Sequence, residues 1–198
     1  MIIQVNHGFK NSNLVKLHEF NGISILSIDL PELFLQKKSM DSNKKSGRYD
    51  RIIRQLEKLL TEFNGPIARM ATINAVLHHK MDYFFWTGFY LLREGELIVG
   101  PYQGPVACQL LAKDTGVCWA AINRGEPVIV KDVHEFPGHI ACDSRSRSEI
   151  TIPLRNERNE IVGVFDADSK DIGSFDETDR DNLNTIIAMV YWRQEGSR

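Results

Sequence analysis

No segment of this 198-residue sequence approaches the roughly 18 consecutive apolar residues that a membrane-spanning helix needs. A basic start followed by a long apolar run, the mark of a secretory leader, is missing too, so the sequence reading places the protein in the cytoplasm. Charge of one sign is also lacking. Lys and Arg number 24 against 26 Asp and Glu and are spread along the chain, which predicts neither a nucleic-acid surface nor an acidic polymer as partner. Internal repeats and low-complexity tracts are absent, which excludes solenoid and fibrous architectures. The paired C-x-x-C or H-E-x-x-H spacings of a zinc centre do not occur. His134, His139 and Cys142 with Asp132 nearby are therefore not expected to hold a metal, and no cofactor is expected. Cysteine is scarce: three residues are an odd number in a chain too long to need disulfide staples, which points to reduced thiols with chemistry to do.

What is present is an ordinary globular composition, 42% apolar and 25% charged, enough for one domain with a true core and an appendage. Residues 1–47 are expected to be an extension and linker of unknown role, with one strand-like run, Ile23–Leu30, and a polar tail, Gln36–Gly47. Residues 48–198 form the expected domain. From Arg48 the periodicity turns helical, with Ile52, Ile53, Leu56, Leu59, Leu60 and Phe63 on one face and Asn64-Gly65-Pro66 as the stop. Ile67 to about Lys80 predicts a second helix with Met70, Ala71, Ile73 and Leu77 inward. Tyr83–Leu92, the turn Arg93–Glu96 and Leu97–Val99 read as a hairpin. Asp114 or Thr115 would cap a short helix closed by Gly125 and followed by a strand at Pro127–Val130. Glu149–Leu154 and Ile161–Asp168 predict a strand pair, and Asp176–Gln194 a closing amphipathic helix. This order predicts an α+β fold with an antiparallel sheet between helices.

The chemistry concentrates between Gly100 and Ser169, which holds Cys108, Cys118 and Cys142. Cys142 follows a Pro-Gly turn and precedes Asp143-Ser-Arg-Ser-Arg-Ser, so it reads as an accessible, reactive thiol beside His139 and Asp143. Cys118 is its rival, because a cysteine in the first turn of a helix has its thiolate favoured by the dipole. Asp166 and Asp168, two residues apart, point to one face of their strand, and Glu149 opens the strand expected beside it. Crowding of the three predicts mutual repulsion and at least one raised pKa. Asp132 is expected near the same polar end. Trp86 and Tyr90, four apart, share a strand face and would supply an apolar wall.

Seven segments in order carry a resemblance: Trp86–Tyr90, Gly100–Gly104, Ala107-Cys108, Gly116–Cys118, Pro137–Asp143, Ser148–Ile150 and Phe165–Ser169. Together they resemble the free methionine-(R)-sulfoxide reductases, a family built on a GAF domain, over about Arg48 to Val190. The resemblance implies a six-stranded antiparallel sheet flanked by helices on both faces. It also implies reduction of free methionine (R)-sulfoxide, with Cys142 attacking, Cys108 resolving to a disulfide, and thioredoxin restoring the dithiol. Glu149 and Asp168 would supply the proton, Cys118 would assist, and Trp86, Tyr90, Asp132 and Asp166 would bind substrate. Trp119 departs from the family, which commonly has Gly there. A homodimer is left open. The alternative from another class is a GAF domain that binds a small ligand or senses redox state without turnover; the short stretch after Val190 favours the enzyme, since sensing modules feed an attached output domain.

Overall fold

The structure is a computed structural model that describes residues 15–20, 23–28, 42–60, 65–139 and 142–191. The chain divides into two compact units, Met1–Ser39 and Met40–Arg198. Within the first, β1 (Val15–Phe20) and β2 (Ile23–Ile28) pair antiparallel, with Val15 opposite Ile28 and Phe20 opposite Ile23. The sequence reading anticipated the second strand but not the first, whose Lys16 and His18 interrupt the apolar positions at Val15 and Leu17. The expectations for residues 29–41, Phe63, Asn64 and the end of the last helix beyond Tyr191 lie outside the described residues.

The second unit begins with α1 (Ser42–Leu59) and α2 (Pro66–Lys80). Helix α1 starts six residues before the predicted Arg48, inside the stretch read as linker. The reason is Lys45, which is buried and donates from Nζ to Ser174 O at 2.8 Å, Asp176 Oδ2 at 2.9 Å and Asp179 Oδ2 at 2.5 Å. A lysine in a polar run looks solvated until its acidic partners, about 130 residues away, fold against it. Pro66 at the first turn and His78, His79 and Lys80 at the last suit α2 to the helix dipole. Leu59 and Ala71, expected inward, are exposed, while Ile52, Leu56, Leu60, Met70, Ile73 and Leu77 are buried.

Strands β3 (Trp86–Arg93) and β4 (Glu96–Gln103) form the predicted hairpin, turned at Glu94 and Gly95, both with positive φ. Then come β5 (Leu110–Leu111), α3 (Gly116–Arg124) and β6 (Val128–Val130). A 3₁₀ turn at Val133–Glu135 follows, then β7 (Ser148–Arg155), β8 (Ile161–Ser169) and α4 (Glu177–Ala188). Helix α4 opens with a capping box between Asp176 and Asp179, and it ends at Ala188, short of the predicted Gln194.

The six strands β3–β8 pair antiparallel throughout in the order β5-β4-β3-β8-β7-β6. One face of the sheet, carrying Phe89, Ile150, Ile152 and Phe165, packs on α1, α2 and α4. The opposite face carries Trp86, Tyr90 and Val164 and packs on α3. Helices on both faces of a six-stranded antiparallel sheet are the expected fold.

Candidate active site

The α3-facing side of the sheet arranges the site through the alternation of its strands. Trp86 on β3 lies opposite Asp168 on β8, and Asp168 lies opposite Glu149 on β7, so the three form one row across the sheet. The next row is Gly88, Asp166 and Thr151. A pocket of about 200 Å³ opens over these rows. It is lined by Trp86, Tyr90, Cys108, Cys118, His139, Cys142, Ser146, Glu149, Asp166 and Asp168, among others.

Aromatic rings form one wall. Trp86 stacks on Tyr90 with centroids 5.8 Å apart and on Tyr102 at 5.5 Å, and its Nε1 donates to Pro105 O at 3.2 Å. Gly88 makes room for that indole: a Cβ there would meet Trp86 Cη2 at 2.3 Å and Tyr102 Cβ at 2.5 Å. Tyr102, which backs the Trp86 indole, was missed for a physical reason. The hairpin register pairs Tyr90 with Val99, but a bulge between Gly88 and Tyr90 shifts it so that Tyr102 comes opposite Gly88. A uniform register extrapolated from the turn would have put Pro101 there.

Cys108 and Cys142 are joined in a disulfide, with Cα atoms 5.6 Å apart and 34 positions apart in sequence. Cys142 is exposed and Cys108 half-buried, so the bridge sits at the pocket's accessible side. Cys118 is a free, buried thiol. The sequence reading let the N-terminus of α3 favour its thiolate; instead burial, with the charges of Asp166, Glu149 and Asp168, pushes its pKa well up. One turn of helix dipole does not outweigh that environment. Trp119 beside it is buried against the same face, with Nε1 3.5 Å from Leu111 O.

The three acids do converge. Glu149 and Asp166 are buried and Asp168 half-buried. All three are raised, and burial is the largest cause in each, ahead of the mutual repulsion that the sequence reading emphasised. Asp168 is pushed up to about 7 by burial, opposed by a hydrogen bond from Ser146 and aided by the charge of Asp143. Burial and the charge of Asp168 raise Asp166, the neighbouring Glu149 and Cys118 oppose that rise, and its Oδ1 is buried without a hydrogen-bond partner. His139 Nδ1 stands 3.9 Å from Glu149 Oε2, and burial lowers its pKa, so it is neutral at physiological pH.

Asp132 does not join the pocket. Its carboxylate accepts from His134 N at 3.1 Å and from Arg147 at 3.3 Å, capping the 3₁₀ turn, and is held below its usual range by those bonds. Asp143 is likewise engaged by Arg145, at 2.9 Å and 2.6 Å, and lowered to about 2. Ser146 escaped the sequence reading because it lies in an Arg-Ser run that looks solvated, whereas it is buried beneath the loop.

A family model for the GAF domain matches residues 74–190. The chain is 45% identical over 147 residues to GAF domain-containing protein A of Dictyostelium discoideum, covering 74% of this chain and 92% of that one. It is 37% identical to the free methionine-R-sulfoxide reductase of Escherichia coli, covering 74% and 88% of the two chains. The crystal structure of the Neisseria meningitidis free methionine-R-sulfoxide reductase in complex with its substrate superimposes with a TM-score of 0.70 at 38% identity, over 74% of this chain and 88% of that one. Fold, motifs and relatives agree: this chain belongs to the free methionine-R-sulfoxide reductases, oxidoreductases built on a GAF domain.

Proposed function

We propose that this protein reduces free L-methionine (R)-S-oxide to L-methionine in the cytoplasm, with the unit Met40–Arg198 as its catalytic module. The observation that carries the reading is the Cys108–Cys142 disulfide, closed at the accessible side of a pocket that also holds the acid row and the aromatic wall. In the dithiol form the Cys142 thiolate attacks the sulfoxide sulfur while an acid delivers a proton to its oxygen. Methionine leaves, and the oxygen stays on Cys142 as a sulfenic acid. The Cys108 thiol then attacks that sulfur and expels water, giving the disulfide. An external dithiol such as thioredoxin reduces it by exchange, so each cycle turns one sulfoxide and one dithiol into one sulfide, one disulfide and one water.

The acids divide the remaining work. Asp168, with a pKa of about 7, is part protonated at neutral pH and donates to the departing oxygen with Glu149. The unpartnered Oδ1 of Asp166 accepts from the substrate's ammonium, and the stacked rings of Trp86 and Tyr90, backed by Tyr102, cover its methyl group.

The test is methionine release from free R-sulfoxide, free S-sulfoxide and an N-acetylated, C-amidated R-sulfoxide, with dithiothreitol as reductant. Turnover of the free R epimer alone is expected. Equal rates on the blocked substrate would overturn the reading, and binding of the free R epimer without its consumption would leave a sensing domain instead.

A further inference from the structure

Cys118 is the one cysteine that the disulfide leaves free, and the reaction above gives it no step. It sits in a donor set that differs from an ordinary acidic cluster. Its Sγ and one carboxylate oxygen each from Glu149 and Asp166 all lie within 4.8 Å of one another, and all three residues are buried. A second observation points to a ligand: Asp166 is 6% exposed, lines the pocket, and has an oxygen with no hydrogen-bond partner. Thr151, opposite Asp166 on the same sheet face, also has a buried hydroxyl without a hydrogen-bond partner.

We propose that Cys118, Glu149 and Asp166 bind a zinc-class divalent cation when the pocket holds no substrate. Three protein donors, one of them sulfur, suit a borderline metal in tetrahedral geometry and leave one position open toward the cavity. Magnesium and calcium prefer all-oxygen sets, which a thiolate does not provide. Zinc–sulfur and zinc–oxygen bonds of about 2.3 and 2.1 Å put neighbouring donors roughly 3.4–3.7 Å apart, so the widest pair needs to close by about 1 Å. Metal and substrate ammonium would then compete for Asp166. That competition rests on the proposed function; the metal site itself does not.

The disulfide form of the full-length, tag-free protein isolates the question, because Cys118 is then its sole thiol and the reductase cannot turn over. Titration with cobalt(II) is expected to raise a thiolate-to-cobalt charge-transfer band in the near ultraviolet that zinc abolishes. Cys118→Ser should remove the band, and Glu149→Gln and Asp166→Asn should each weaken cobalt binding at least about tenfold. Absence of the band at saturating cobalt, or its persistence in Cys118→Ser, overturns the proposal. Free methionine sulfoxide added to the cobalt form should bleach the band if the proposed substrate binds at Asp166. A band that stays unbleached would count against that substrate assignment and leave the metal site standing.

Discussion

The thiol of Cys118 faces three carboxyl groups in a buried pocket, whereas Cys142 is exposed and held in a loop whose Asp143 is already neutralised by Arg145. Nucleophilicity belongs to the thiolate, which is the ground on which the proposed mechanism gives the attack to the exposed cysteine. Cys142→Ser is expected to abolish even a single turnover. Cys108→Ser should release one methionine per chain and then stall with thioredoxin, as quenched single-turnover assays would show; retention of the first turnover by Cys142→Ser and its loss in Cys118→Ser would reverse the roles. The acids give a second test. Glu149→Gln and Asp168→Asn should each slow the reductive step at least about a hundredfold, the usual worth of a general acid, while Asp166→Asn mainly raises KM. With Asp168 at about 7, the wild-type single-turnover rate should fall as pH rises through 7 and the donor loses its proton, and Asp168→Asn should lose that limb. A wild-type rate flat from pH 6 to 8 would place the donor elsewhere, with His139 the next residue to change.

At the level of elements, strands were legible where alternation and turn chemistry agreed: the β3–β4 hairpin announces itself by Arg-Glu-Gly-Glu, and β7, expected beside β8, brings Glu149 to the face that Asp166 and Asp168 share, opposite Asp168. What escaped was set by long-range partners. The bulge that brings Tyr102 to Trp86 leaves no composition signal, and Asp132 looked like a pocket acid until its 3₁₀ turn and Arg147 claimed it. The early start of α1 is the largest case. Lys45 and Asp179 are fully buried, and Tyr49 and Tyr83 both donate to Asp179, so the α1 and α4 N-termini share one ionic knot. Lys45→Met would strand Asp179 as an uncompensated buried charge. The expected cost is about 3–5 kcal/mol, read as a lower denaturation midpoint, because breaking one side of a buried pair is far worse than removing both. A loss below about 1 kcal/mol would mean that the carboxylate finds other partners at little cost.

For the whole molecule, the acid row links chemistry to stability through pH. Asp168 has a folded pKa of about 7 against about 3.9 in an unfolded chain. Between those values the folded state binds more protons than the unfolded state, so the contribution of this group to stability falls as pH rises from 4 to 7 and stays level above. The full difference amounts to at most about 4 kcal/mol, reduced because Asp168 is only half-buried and meets pocket water. Asparagine has the same shape and no charge to desolvate. Asp168→Asn should therefore match the wild type in stability near pH 4, gain on it steadily to pH 7 and hold a constant lead beyond, while losing the reductive step. Denaturant midpoints of both proteins across that range measure it. Curves that run parallel from pH 4 to 8 would mean that folding leaves the Asp168 pKa unchanged, and the proton for the departing oxygen would then have to come from Glu149 or His139.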